Sequence, residues 1–306
     1  VACKMQEILH ILRASAEKLE DAGVESAEYD ARLLLAHACG VSLADLNKAL
    51  ILGDFKDFLP NYASKYSDFI SRRASREPLQ HIIGCATFRY IDLIVGKGVF
   101  VPRPETEVVV QEGLDWIRAN NLKNPIVLDL CAGSGAIGLS VASEVADAQV
   151  WAVEKSPKAF EYLQKNYNKI AEKYNILNRY HAILGDATNV NLPEKAAIKE
   201  KVDVVITNPP YVPESQPVEQ IEARDYDPKM ALYGGSQDGL LIPQKIVKAS
   251  FAYLRRGGIM IMEHDITQGE ALADYAKNVG FSSAKVKNDL TNRARFVVCK
   301  KEAKNE

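Results

Sequence analysis

Long apolar runs are missing from this chain of 306 residues. No stretch approaches the ~18 residues needed to cross a bilayer, and no charged-then-apolar signal segment opens it. Cysteine is scarce as well. Cys3, Cys39, Cys85, Cys131 and Cys299 are odd in number, widely spaced and without a C-x-x-C pair. That spacing argues against a disulfide framework or a zinc site and fits a reducing, cytoplasmic compartment. Neither charge dominates: 38 Lys+Arg against 40 Asp+Glu leaves −2, so a basic coat for nucleic acid is not implied. Repeats and low-complexity segments are absent too. With 47% hydrophobic and 25% charged residues, the balance is that of a globular chain of one large or two ordinary domains rather than a disordered one.

Two patterns divide what is present. Up to residue 84 the spacing is helical: Ile8, Leu9, Leu12, Ala16 and Leu19 form one stripe, and Ala31, Leu34, Leu35 and Ala38 a second that Gly40 closes. Ser42 and Asp45 stand at capping-box spacing. Between Pro60 and Pro78, the residues Tyr62, Tyr66, Phe69, Ile70 and Arg73 share a face. A small helical bundle over residues 1–84 is expected. Residues 87–90 and 92–95 have strand composition, which predicts a β-hairpin linker over residues 85–99. From about residue 105, short apolar runs at 126–130, 150–153, 202–206 and 259–262 alternate with amphipathic segments such as 157–170 and 240–254. Residues 284–286 and 295–299 read as two further strands. Alternation of this kind predicts an α/β domain over residues 100–306, with a mostly parallel sheet covered on both faces.

Three acidic or glycine-bearing sites fall at the ends of successive strands. The first run passes through Asp129 into Cys131, Ala132, Gly133, Ser134 and Gly135, a tight loop that leads into a helix. Glycines there permit positive φ and close approach to a ligand, and the helix start offers free N–H groups. The loop resembles the D-x-G-x-G-x-G loop of class I methyltransferases that bind S-adenosylmethionine, with Cys131 at the first glycine position. The second run ends in Glu154, a carboxylate suited to accept from both ribose hydroxyls. Asp186 and Ala187 follow the third, where Asp186 is placed to accept from an adenine amine. An ordinary βα turn, a helix cap and a turn aspartate explain each site singly; three in a row favour a ligand at the carboxyl ends of the strands.

The fourth run leads straight into Asn208-Pro209-Pro210-Tyr211. Two prolines force the chain out of the sheet and restrict the loop. The Asn208 amide oxygen and the Pro209 carbonyl are two acceptors for the two hydrogens of an –NH2 group. Tyr211 is a wall for a planar group to stack on. The tetrapeptide resembles the [DNS]-P-P-[YFW] signature of methyltransferases acting on planar nitrogen.

Further segments narrow the resemblance to the HemK/PrmC family, the protein-(glutamine) methyltransferases of class I peptide chain release factors. They are Phe100-Val-Pro-Arg103-Pro-Glu-Thr106-Glu, Arg76-Glu-Pro-Leu-Gln-His81-Ile-Ile-Gly84, Ala231-Leu-Tyr-Gly-Gly-Ser-Gln-Asp-Gly-Leu240 and Asp289-Leu-Thr-Asn-Arg-Ala-Arg-Phe296. The resemblance spans about residues 28–298. It implies an N-terminal helical domain that recognises substrate, a β-hairpin linker and a seven-stranded, Rossmann-like methyltransferase domain. It also implies the cofactor S-adenosyl-L-methionine, with S-adenosyl-L-homocysteine as product, and the glutamine of a Gly-Gly-Gln loop as acceptor. Cofactor contacts carry over to Cys131, Ala132, Gly133, Ser134, Gly135, Glu154, Ala187 and Asn208, with Asp129 and Asp186 alongside. Phe100, Arg103 and Thr106 belong near the methionine end, and substrate contacts fall on Asn208, Pro209, Pro210 and Tyr211. No metal is expected, and His81 and His264 read as structural.

An adenine-specific nucleic-acid methyltransferase shares the Asn-Pro-Pro-Tyr chemistry, but it must also flip a base and grip phosphates. The charge of −2 and the lack of an added target-recognition domain stand against it. A binding protein that has kept only the fold is disfavoured by the intact cofactor loop. Residues 213–230 are long for a loop in a compact domain and read as a lid that orders on substrate binding.

Overall fold

The computed structural model describes residues 2–189 and 198–302. It opens with five helices: α1 (Ala2–Asp21), α2 (Ala27–Cys39), α3 (Leu43–Leu52), α4 (Tyr62–Ala74) and α5 (Leu79–Ile83). A two-stranded sheet follows, β1 (Cys85–Phe88) and β2 (Ile91–Ile94). Next come α6 (Pro104–Ala119), β3 (Ile126–Leu130), α7 (Ala136–Glu144), β4 (Gln149–Glu154), α8 (Pro157–Ile170), β5 (Tyr180–Leu184) and β6 (Val202–Thr207). The chain ends with α9 (Ile221–Tyr226), α10 (Lys229–Leu232), α11 (Leu241–Tyr253), β7 (Leu254–Glu263), α12 (Gly269–Val279), β8 (Ser283–Asn288) and β9 (Ala294–Lys300). Two compact units result: residues 1–85 with 220–226, and residues 86–219 with 227–306.

In the helical unit the predicted stripes are the core. Ile8, Leu12, Leu19, Leu34, Leu35, Leu46 and Ile70 are buried together, at about 1.5–3 kcal/mol for each fully buried aliphatic side chain. The cap read from sequence forms: Ser42 Oγ accepts from Asp45 N at 3.0 Å. Gly40 ends α2 with a left-handed φ of 72°. Arg73, on the apolar face of α4, is buried and pairs with Asp30 at 2.7 Å and Glu222 at 3.0 Å. Arg76 adds two bonds to Glu222, at 2.8 and 2.9 Å. Burial opposes ionisation of Glu222, but the guanidinium donors outweigh it and hold its pKa down to about 2.

This cluster explains a departure from the sequence reading. Residues 213–230 are not one structureless loop. They contain α9, which the ion pairs and buried Ala223 tie into the helical unit, and the start of α10.

The sheet of the second unit runs β5-β4-β3-β6-β7-β9-β8. Strands β3 to β7 run parallel to one another, and β9 is antiparallel to both β7 and β8. Alternate side chains feed two cores. Val127, Val150, Val204 and Ile259 pack with residues of α6, α7 and α8 such as Leu114, Leu139 and Leu163. Leu128, Val205 and Met260 pack with Ile246 of α11 and Leu272 of α12. Strands buried on both faces read as continuous apolar runs, which is why their ends, more than their periodicity, marked them. Phe88, Ile91, Leu93 and Val95 of the hairpin segment join the first of these cores, so residues 86–99 are part of this unit.

Candidate active site

Register sets the site. Leu130 lies level with Val153 and with Thr207, and Glu154 with Leu184. The loops after β3, β4, β5 and β6 therefore leave the sheet side by side. Strand order reverses between β3 and β6, and ligands of open α/β sheets bind in the crevice at such a switch point. A cavity of about 420 Å³ opens there, within the usual size of small-molecule sites. Phe100, Thr106, residues 131–134, Glu154, Asp186, Ala187 and residues 208–211 all line it.

The loop after β3 turns through left-handed conformations at Cys131 (φ 66°), Gly133 (φ 57°) and Gly135 (φ 88°). At Cys131 a β-carbon sits where glycine is free of strain, at a cost of roughly 1–2 kcal/mol. A β-carbon added at Gly133 meets nothing, so the loop backbone is open to a ligand. The Ser134 hydroxyl is buried without a hydrogen-bond partner among the described residues. Asn166 of α8 braces the loop, donating to Ser134 O at 2.9 Å and Ile94 O at 3.0 Å.

Glu154 accepts Ser156 N–H on Oε1 and Gly133 N–H on Oε2, both at 2.7 Å. Burial pushes its pKa up against those bonds, and each oxygen keeps a lone pair for a ligand. Asp186 takes Thr188 N–H and O–H on one oxygen, at 2.9 and 2.7 Å, and Lys155 on the other, at 2.8 Å. These donors overcome desolvation and hold its pKa down to about 2. Lys155 and Thr188 also line the cavity; neither stood out in the sequence, though each lies within two residues of a flagged carboxylate.

Three expected cofactor residues stand behind the cavity wall instead of in it. Asp129 is fully buried and accepts Gly138 N–H at 2.9 Å, capping the start of α7 from below; burial raises its pKa to about 7. Arg103 reaches Asp227 at 2.9 Å and lies over the Phe100 ring at 5.1 Å. Gly135 packs under Leu139 and Leu163.

The far end of the cavity is assembled from distant segments. Asn208 Nδ2 donates to Thr106 Oγ1 at 3.2 Å. Thr106 Oγ1 donates to Glu263 Oε2 at 2.7 Å, and Tyr211 O–H to Glu263 Oε1 at 3.1 Å. Glu263 is 2% exposed. Burial raises its pKa, against the two hydroxyl donors and the charge of Arg295. The sequence reading missed this residue, which ends an apolar strand. Gln268 Nε2 holds Tyr211 O at 2.8 Å, and Gly239 packs so close to Tyr211 O that no β-carbon fits. Residues 234–239 thus buttress the 208–211 loop. His264 is buried after β7, its Nδ1 2.7 Å from Asp265 O, and His81 lies in α5; neither lines the cavity. Among the described residues no three His, Cys, Asp or Glu side chains gather as a metal site, and no single helix is long and apolar enough to cross a membrane.

A seven-stranded sheet in this order, with an antiparallel β9 and the cradle at its switch point, has the class I S-adenosylmethionine-dependent methyltransferase architecture. Family models agree along the chain: one described as PrmC N-terminal domain matches residues 10–84, and one described as Conserved hypothetical protein 95 matches residues 82–226. A release factor glutamine methyltransferase of Bifidobacterium longum is 50% identical over 291 residues, covering 95% of this chain and 98% of that one. Its counterpart in Streptomyces coelicolor is 38% identical over 300 residues, covering 97% and 99%. Among solved structures, the Thermus thermophilus 16S rRNA N2 G1207 methyltransferase in complex with AdoMet and guanosine aligns with TM-score 0.48 and 19% identity. That alignment covers 71% of this chain and 50% of the other. The chain belongs to the release factor glutamine methyltransferase family.

Proposed function

We propose that this protein transfers a methyl group from S-adenosyl-L-methionine to the side-chain amide nitrogen of the glutamine in the Gly-Gly-Gln motif of class I peptide chain release factors. The observation that carries the reading is the Asn-Pro-Pro-Tyr loop at the switch point, sharing one cavity with the loop after β3, in a chain half identical to a release factor glutamine methyltransferase.

S-adenosylmethionine supplies a methyl group on a sulfonium, already activated for displacement. Residues 131–134 and Glu154 are assigned to hold it, the carboxylate accepting from the ribose hydroxyls. Asp186 and Ala187 take the adenine, and Phe100 and Thr106 the methionine end. The open backbone at Gly133, the unpaired Ser134 hydroxyl and the spare lone pairs of Glu154 fit such a ligand. Arg103, Asp129 and Gly135 support this wall from behind.

An amide nitrogen is a weak nucleophile because its lone pair is delocalised into the carbonyl. The protein's task is alignment, which is worth about 7–11 kcal/mol in good cases. Asn208 Oδ1 and the Pro209 carbonyl accept the two hydrogens of the substrate –NH2. They stabilise it more as positive charge develops on nitrogen. Pro210 stiffens the loop, and the Tyr211 ring stacks on the planar amide. The helical unit recognises the protein substrate, and the protein works in the cytoplasm.

The test is transfer of labelled methyl groups to purified release factor, duplex DNA and RNA in parallel. Label on the release factor, lost when the glutamine of its Gly-Gly-Gln loop is changed, is expected. Label on nucleic acid alone would overturn the reading.

A further inference from the structure

An asparagine amide fits its site equally well in two orientations, related by a flip that exchanges oxygen and nitrogen. Only hydrogen bonding chooses between them. The choice matters here, because an oxygen facing the cavity accepts from an incoming –NH2 group whereas an NH2 facing it repels one.

The side chains behind Asn208 decide the matter. A carboxylate only accepts, so both hydroxyls that reach Glu263 must donate to it: Thr106 to Oε2 at 2.7 Å and Tyr211 to Oε1 at 3.1 Å. Thr106 has a single hydroxyl hydrogen and spends it on Glu263. Its oxygen can then only accept, and it accepts from Asn208 Nδ2 at 3.2 Å. With the nitrogen held there, the oxygen is the end of Asn208 left for the cavity that the residue lines. If the Thr106 hydrogen pointed the other way, it would capture Oδ1 and turn the NH2 toward the substrate. Glu263, Thr106 and Asn208 come from β7, α6 and the loop after β6, so no local motif sets this polarity.

We propose that Glu263 is a positioning residue: through Thr106 it fixes the Asn208 amide with its oxygen toward the acceptor nitrogen, and through the Tyr211 hydroxyl it holds the stacking ring. The inference rests on the methyl-transfer reading above. The same carboxylate thus orders the acceptor and the stacking wall without touching the substrate.

The test uses the full chain with Glu263→Gln, Thr106→Val and the double variant, and two readouts. The first is the side-chain amide resonance pair of Asn208, identified by its loss in Asn208→Ala. It is expected to be exchange-protected in the wild type, and to lose protection and shift in both single variants. Unchanged resonances would overturn the proposal. The second is turnover against S-adenosylmethionine affinity. Each single variant is expected to lower kcat by about 10–100-fold, as small misplacements do, with the cofactor Kd changed less than about threefold in Glu263→Gln, whose side chain does not line the cavity. The double variant is expected to be little worse than the poorer single one, since both break one chain of bonds. Multiplied effects in the double variant, or losses confined to cofactor binding, would overturn it. Should Glu263→Gln fail to fold, Thr106→Val keeps the carboxylate in place and carries the resonance readout, while Tyr211→Phe, which leaves the Thr106–Asn208 bond intact, carries the turnover readout with the Asn208 resonances unmoved. If the wild type does not methylate release factor, the methyl-transfer reading falls while the Asn208 resonances still decide this proposal.

Discussion

The two ends of the cavity are built on opposite plans. At the end assigned to the adenosine, each group follows directly on its own strand: residues 131–134 on β3, Glu154 on β4, Asp186 on β5. The Ser156 N–H bond to Glu154 and the two Thr188 bonds to Asp186 each span two positions, while Gly133 N–H reaches Glu154 across 21 and Lys155 reaches Asp186 across 31, between the ends of adjacent strands. At the substrate end the partners are far apart in the chain, Thr106 and Glu263 by 157 positions and Tyr211 and Glu263 by 52. A binding cradle for a cofactor can be encoded locally. Aligning a poor nucleophile needs side chains fixed from several directions, and the fold has to be complete before they meet.

Damage at the two ends is expected to separate into different constants. The largest effect is expected from Asn208→Ala. By analogy with the loss of one preorganised polar contact at a reacting centre, kcat should fall by roughly 10²–10³, with cofactor affinity within about threefold in a binding titration. Equal loss of both would erase the distinction. Glu154→Ala should do the reverse, weakening the cofactor by about 10–100-fold, the worth of one or two hydrogen bonds to a charge. Its kcat at saturating cofactor should stay within a few-fold.

Smaller effects concern the support behind the wall. Burial raises the Asp129 pKa to about 7, from the ordinary aspartate value of 3.8. Its cost to the folded state is absent below the lower value, grows between the two and is complete above the higher. Wild-type stability should therefore decline by roughly 2–3 kcal/mol between pH 5 and pH 8. Asp129→Asn, which keeps an acceptor for Gly138 N–H, should flatten that slope in denaturant titrations. The smallest change is expected from Cys131→Gly. Relief of the left-handed backbone is worth about 1 kcal/mol, less what the half-buried side chain contributes, so the melting temperature should rise slightly while cofactor affinity holds.

The same contrast governs what the sequence disclosed. The helical stripes, the strand runs and the loops after β3 and β6 were legible because each is contiguous and its chemistry repeats at fixed spacing. Glu263 was hidden because a carboxylate closing an apolar strand looks like a strand end, and only β7 beside β6 brings it to Thr106 and Tyr211. Asp129, Arg103 and Gly135 stand in the same motifs but are not among the residues that line the cavity, a difference that spacing along a chain does not show. The ties of α9 to Arg73 and Arg76 were equally invisible, since the Glu222–Arg73 pair spans 149 positions.

The most direct measurement is fragmentation mass spectrometry of a release factor after incubation with this protein and S-adenosylmethionine. The account predicts a single added methyl on the side-chain nitrogen of the glutamine in the Gly-Gly-Gln loop, absent when Asn208→Ala replaces the wild type. A methyl on another residue, or the same methyl at an undiminished rate with Asn208→Ala, would contradict it.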